Sequence, residues 1–137
     1  MKQQLLIEAI RTAGAVQLAI LAGNVPLPGM LHVRERFAGV PRFLCQIFYV
    51  HWIYIVITLA MFAVLCFGFA RELAGASPMG RFLSGFMGSF WLLRICLQAF
   101  YYDREIRRRN QLLDSLYLAA LTALVLVFGS AAARPLR

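Results

Sequence analysis

Four polar or amphipathic side chains recur at helical spacing inside the apolar stretch from Phe82 to Tyr102. They are Trp91, Arg94, Gln98 and Tyr102, and intervals of three and four residues place them on one face of a helix. An indole, a guanidinium, an amide and a phenol can together bind the carbonyl or carboxylate head of a lipid-soluble molecule. The same side chains can instead form a hydrogen-bond network that fixes how the helices pack.

Arg94 is the residue that most needs an explanation. A charge at the centre of a membrane span costs at least ~3 kcal/mol on insertion scales, so it normally has a partner, a cavity or a function. Gly80, Ser84 and Gly88 extend the same face and allow close helix contact, which predicts that Arg94 points into the bundle. In the alternative, Arg94 snorkels along the lipid face from about 12 Å below the end of its helix.

The other helices are expected to contribute polar groups to the same half of the bundle. Counting inward from Phe43 places His51 at about the depth of Arg94, roughly 12 Å from the helix end. By the same count three further residues approach this half, namely Gln46, Gln17 and Asp114. A haem site is not expected, because His51 is the lone histidine inside a span and His32 lies in a loop.

The sequence lacks the motifs of conventional catalysis. Its cysteines, Cys45, Cys66 and Cys96, are far apart and fit small buried hydrophobic residues better than metal ligands. No zinc motif, nucleophile elbow, P-loop or dinucleotide fingerprint is present. We therefore expect no catalytic residues, no metal and no cofactor, apart from a quinone or other lipophilic ligand under the binding hypothesis.

These residues must be positioned by membrane-spanning helices. The chain is 61% hydrophobic and 15% charged, with a mean hydropathy of +0.71, and its apolar runs reach the ~20 residues that cross a bilayer. We predict an all-α, integral membrane four-helix bundle, a single domain over residues 1–137, with spans at about 5–22, 43–69, 82–102 and 112–133.

The first span is the least regular of the four. Gln4, Glu8 and Arg11 fall on one helical face, so its opening turns could lie in the membrane interface. A cleaved signal peptide is a further alternative, disfavoured by the charges within the apolar region. At the third span, Ser77-Pro78 has the pattern of a helix N-cap followed by proline at the first helical position.

Arginine placement predicts the orientation. The loop between spans one and two contains Arg34, Arg36 and Arg42, and the loop between spans three and four contains Arg104, Arg107, Arg108 and Arg109. By the positive-inside rule both loops are cytoplasmic, in a bacterial inner membrane. The second cluster is also expected to bind lipid headgroups. The net charge of +8 does not indicate nucleic-acid binding, because the basic residues are dispersed and no reader motif accompanies them.

Three short motifs resemble small bacterial four-helix integral membrane proteins of uncharacterised function. They are the segment from Trp91 through Arg94 and Gln98 to Asp103, the Gln46-x-Phe48 start of span two, and the Gly14-x-x-Gln17-Leu18 turn. The resemblance implies four spans and no particular activity.

Two functional hypotheses follow from these patterns. The first is a non-enzymatic membrane protein that acts as an accessory or assembly subunit, with a membrane protein partner, or as a homo-oligomer. The alternative is a protein that binds a lipophilic ligand, such as a quinone or a fatty acid, at the polar site around Arg94 and His51.

Overall fold

The computed structural model describes residues 2–30, 32–75, 77–101 and 111–135. Within these ranges the chain forms helices and no strands. In chain order they are α1 (Lys2–Asn24), α2 (Leu27–Met30), α3 (Val33–Arg36), α4 (Arg42–Gly68), α5 (Ala70–Leu73), α6 (Pro78–Phe100) and α7 (Gln111–Ala132). The four long helices, α1, α4, α6 and α7, are long and apolar enough to cross a membrane. The expected all-α membrane bundle is confirmed.

The bundle consists of two antiparallel helical pairs. α1 packs along α4, and α6 packs along α7. α7 also contacts α1, while α5 contacts both α1 and α6, so the pairs join into one body. We call the end of the bundle that holds α5 the α5 end, and the opposite end, where α6 stops and α7 starts, the α6–α7 end.

The start of α6 follows the local sequence signal. Ser77 has an extended backbone (φ −70°, ψ 149°), and its side-chain oxygen accepts a hydrogen bond from the Gly80 amide at 3.0 Å. Pro78 occupies the first turn, where its missing N–H leaves no hydrogen bond unmade. The Ser77 hydroxyl also donates to the Glu72 carboxylate, which ties the cap to α5.

Small residues set the closest helix contacts, as the sequence predicts. Ser84 is fully buried and donates to the Leu73 carbonyl of α5 at 3.3 Å. A Cβ added at Gly88 would lie 3.5 Å from Cβ of Phe128 on α7. A Cβ added at Gly14 would lie only 2.8 Å from Cβ of Cys66 on α4. Because lipid tails are as apolar as the core, such close packing is a main source of helix association in membranes.

α1 faces the bundle along most of its length. Ile7, Ile10, Ala13 and Gln17 recur at intervals of three and four residues and are all buried. Large apolar side chains instead cover the outer surface of the four long helices, as in Leu93, which is 60% exposed. An apolar exterior of this extent fits a hydrocarbon environment and would be unusual in water.

Candidate functional site

A cavity of about 420 Å³ lies between α4 and α6. On its α5 side the two helices meet through aromatic edge contacts, with the Phe62 ring centroid 5.1 Å from that of Phe90 and 6.3 Å from that of Phe86. Beyond this contact, toward the α6–α7 end, residues of α1, α2, α4, α6 and α7 all line the space. The volume is within the range of about 300–1,000 Å³ that is typical of small-molecule sites.

The cavity has a buried floor and an exposed rim. Leu59 and Trp91 form part of the floor and are 2% and 1% exposed. Ile55 of α4 and Leu93 and Leu97 of α6 also line the cavity but belong to the exposed outer surface. The mouth therefore opens sideways between α4 and α6, on the surface that faces lipid when these helices span a membrane.

The α6 wall of the cavity carries a charged side chain held by a chain of hydrogen bonds. Arg94 is half-buried, and its Nη1 donates to Oε1 of Gln98 at 3.2 Å. Nε2 of Gln98 in turn donates to Oδ1 of Asp114 on α7 at 2.7 Å. The Arg94 guanidinium carbon also lies 5.5 Å from the ring centroid of Tyr117, within cation–π range. Gln98 of α6 and Tyr117 of α7 thus hold the guanidinium at the cavity wall.

The opposite wall is formed by α4 and the end of α1. Nε1 of Trp52 donates to the Asn24 carbonyl at 2.8 Å, which closes α1 onto α4. Nδ1 of His51 lies 2.8 Å from the Ile47 carbonyl, one turn earlier on the same helix. Both His51 and Trp52 line the cavity.

Trp91, which forms part of the cavity floor, lies three residues before Arg94 on α6. Its ring is edge-on to Phe90, with centroids 5.3 Å apart. Its indole N–H has no hydrogen-bond partner among the described residues and is shielded from the surface. An unpaired buried N–H is uncommon in native proteins, so this atom marks a place where packing outweighs hydrogen bonding.

Most residues predicted for the site lie together. Arg94, Gln98 and Asp114 form the hydrogen-bonded chain, while His51 and Trp91 line the cavity beside it. Tyr102 and the predicted headgroup cluster, Arg104, Arg107, Arg108 and Arg109, lie outside the described residues.

Gln46 does not join this site. It is exposed and lines a shallow depression on the outside of α4 with Arg42, Cys45 and Tyr49. A helix turns by about 100° per residue, so five residues place Gln46 about 140° around α4 from His51. The prediction that Gln46 contributes to the polar site was wrong, because the count of depth ignored this rotation.

The expected position of Gln17 was also wrong. Its side chain is fully buried, and Nε2 lies 3.4 Å from Sγ of Cys66, two residues before the end of α4. Gln17 therefore lies toward the α5 end and not beside Arg94. The reason is that α1 ends well inside the bundle. Its last residue, Asn24, contacts Trp52, which lies about 15 Å along α4 from the start of that helix. α2 and α3 occupy the remaining distance between the end of α1 and the α6–α7 end of the bundle.

Three site residues were missed by sequence reasoning. Asn24, Trp52 and Tyr117 line the cavity or fix its walls. Tyr117 lies three residues after Asp114, so helical periodicity applied to the predicted residues would have suggested it. Trp52 follows His51 directly and is turned by about 100° around α4, so periodicity gives no such signal for it. Among the described residues no group of three His, Cys, Asp or Glu side chains could hold a metal ion.

Comparison with known proteins finds no matching family model, no matching characterised protein and no matching solved structure.

Proposed function

We propose that this protein is a non-enzymatic membrane protein that binds a lipophilic molecule in the cavity between α4 and α6. The ligand would place a polar head against Arg94 and extend an apolar tail through the mouth into the bilayer. The observation that carries this proposal is the placement of one permanently charged side chain, Arg94, in a cavity whose other described lining residues are mainly aliphatic or aromatic.

The electrostatics of the wall favour an oxygen-bearing head. A guanidinium has five N–H donors and no acceptor, so it can bind several acceptor atoms at once. Gln98 and Tyr117 hold Arg94 in place, which reduces the conformational entropy lost when a ligand binds. In a low-dielectric site a charge-assisted hydrogen bond is stronger than in water. Carbonyl, hydroxyl and carboxylate groups are the matching acceptors.

The lateral mouth favours entry from the membrane. Ile55, Leu93 and Leu97 form an apolar rim on the lipid-facing surface. A lipid-soluble molecule could pass this rim without leaving the hydrocarbon region, whereas a water-soluble molecule would have to cross it. The geometry therefore supports quinone-like molecules and fatty acids over polar metabolites.

The location and orientation proposed are those of a bacterial inner-membrane protein with the α6–α7 end in the cytoplasm. Arg34, Arg36 and Arg42 are exposed in and beside the segment between α1 and α4, which supports this orientation by the positive-inside rule. An accessory or assembly role, with a membrane protein partner or as a homo-oligomer, remains a second prediction that ligand binding does not exclude.

Intrinsic fluorescence offers a direct test. The chain has two tryptophans, Trp52 and Trp91, and both line the cavity. We expect decyl-benzoquinone, added to the full-length protein in lipid nanodiscs, to quench this fluorescence saturably. Arg94→Gln should weaken binding by about tenfold, the value of one good hydrogen bond. Arg71→Gln, a matched change at an exposed arginine of α5, should leave it unchanged.

Two further measurements make the outcome decisive. Circular dichroism melting shows whether Arg94→Gln remains folded. Ile55→Phe narrows the mouth without touching the charge, so it should weaken binding as well. Quenching that rises linearly without saturation, or is identical in the parent protein and both variants, would show that the quinone only partitions into lipid. Mass spectrometry of lipids extracted with the purified protein identifies a natural ligand.

A further inference from the structure

We infer that the ligand of this cavity has an aromatic head with a hydroxyl group, as in a hydroquinone or a lipophilic phenol. In this arrangement a ligand oxygen accepts a hydrogen bond from Arg94, and the ligand hydroxyl donates one to His51. The inference rests on the binding role proposed above and narrows the class of ligand.

The hydrogen bond of His51 fixes which ring nitrogen carries the proton. Nδ1 lies 2.8 Å from the Ile47 carbonyl oxygen, and a carbonyl oxygen can only accept. Nδ1 must therefore be the donor, and in the neutral ring Nε2 is then an acceptor. Because Nδ1 is turned toward the backbone of α4, Nε2 is the ring nitrogen left to bind a ligand in the cavity that His51 lines.

Two neighbouring polar groups on this wall donate to backbone carbonyls. The indole N–H of Trp52 is bonded to the Asn24 carbonyl at 2.8 Å. The side-chain amide of Asn24 donates to the Ile20 carbonyl at 2.8 Å. The α4 side thus offers an acceptor, whereas Arg94 on the α6 side can only donate. A ligand head group that has only acceptor atoms could bond to Arg94 but not to Nε2 of His51. A head group with a hydroxyl can bond to both.

The rest of the lining favours a ring over a fatty-acid head. Five aromatic side chains line the cavity: Phe48, Trp52, Phe90, Trp91 and Tyr117. Aromatic rings attract one another in offset or edge-on arrangements beyond the effect of buried area alone. A carboxylate would bind Arg94 but would give neither a ring to these residues nor a hydrogen to Nε2.

The experiment compares two probes that differ in their hydroxyl hydrogens. Decyl-hydroquinone has two O–H donors, and its dimethyl ether keeps the ring, the tail and the acceptor oxygens. Binding is measured under argon by tryptophan fluorescence, using full-length protein in nanodiscs. We expect the hydroquinone to bind about tenfold more tightly than the ether in the parent protein, as a hydrogen bond of ordinary strength predicts.

Substitutions of His51 test whether this residue causes the preference for the hydroquinone over the ether. His51→Phe keeps a flat ring but has no acceptor, so the two probes should bind about equally. His51→Gln supplies an amide oxygen and should retain much of the preference. Gln46→Leu is the control, since Gln46 lies on another face of α4. Unchanged binding of the ether to His51→Phe shows that the cavity is intact in this variant.

The outcomes separate this inference from the proposed function. Equal binding of the two probes to the parent protein, or a preference that survives in His51→Phe, would overturn the inference. Ligand binding itself would still stand if both probes bind saturably and Arg94→Gln weakens both. If neither probe nor decyl-benzoquinone binds saturably, the proposed function fails together with the inference.

Discussion

Oε1 of Gln98 accepts a hydrogen bond from Nη1 of Arg94 at 3.2 Å, one turn earlier on α6. The same amide donates from Nε2 to Asp114 of α7 at 2.7 Å. One neutral side chain thus connects a cation to a carboxylate on the neighbouring helix. This arrangement explains how α6 holds an arginine about 9 Å of helix rise before its last residue, Phe100, without exposing the charge to hydrocarbon alone.

We predict that Gln98→Met lowers stability. Methionine has similar length but cannot bond to either Arg94 or Asp114, so both charged groups lose a partner and the expected cost is ~1–3 kcal/mol. Thermal unfolding in detergent, followed by circular dichroism, measures the change. Gln46→Met is the matched control, because Gln46 is exposed and outside this chain of bonds. Equal melting temperatures for the two variants would mean that the amide link contributes no stability.

A second prediction concerns the contact between α1 and α4. A Cβ at Gly14 would lie 2.8 Å from Cβ of Cys66, which belongs to a rigid part of its side chain. Gly14→Ala should therefore push the helices apart and cost ~1–3 kcal/mol, as overpacking typically does. Gly23→Ala is the control on the same helix, since nothing lies within 4 Å of its added Cβ. If both variants melt like the parent protein, α1 does not pack against α4 at this point.

The contact between α6 and α7 is predicted to be less tight. At Gly88 an added Cβ would lie 3.5 Å from Phe128, an ordinary contact distance. Gly88→Ala should therefore keep the parent melting temperature within a few degrees. Gly88→Leu needs space that Phe128 occupies and should cost ~1–3 kcal/mol. Thermal melts of the two variants in detergent test whether leucine is more destabilising than alanine at this position. Equal melting temperatures would show that Gly88 faces lipid.

The sequence predicted features that depend on neighbouring residues or on helical periodicity. Ser77 and Pro78 mark the start of α6 because a cap and a first-turn proline act within one turn. Arg94 and Gln98 meet because residues four apart share a helix face. The face with Gly88 was predicted in the same way, since small residues recur along it.

Features that depend on the register between helices were not predictable in this way. Gln17 was predicted to lie in the same half of the bundle as Arg94, because it is near the loop end of span one. In the structure α2 and α3 lie between the end of α1 and the start of α4, and Gln17 lies against Cys66. The cavity arises where α4 and α6 separate beyond Phe62, which depends on how all the long helices pack together. No local pattern encodes that separation.

The orientation prediction is tested by labelling from one side of the membrane. In a variant with its three native cysteines replaced, Arg36→Cys should react only from the cytoplasm and Arg71→Cys only from the periplasm. Arg36 and Arg71 are exposed at opposite ends of the bundle, so both positions are open to reagent. Arg108→Cys, which lies outside the described residues, should react like Arg36→Cys. The reverse labelling pattern would show that the protein has the opposite orientation in the membrane.

The last prediction is that Gln17→Met raises stability, in contrast to the same substitution at Gln98. Gln17 is fully buried, yet its Oε1 has no hydrogen-bond partner among the described residues. Its amide nitrogen has a weak acceptor, Sγ of Cys66 at 3.4 Å. A buried oxygen without a donor typically costs ~1–3 kcal/mol, and methionine removes that cost while filling a similar volume. Gln17→Met should therefore melt a few degrees above the parent protein and Gln98→Met below it. A lower melting temperature for Gln17→Met would mean that a water molecule or another bound group satisfies Oε1 in the native protein, and Gln17 would then be part of a second polar site.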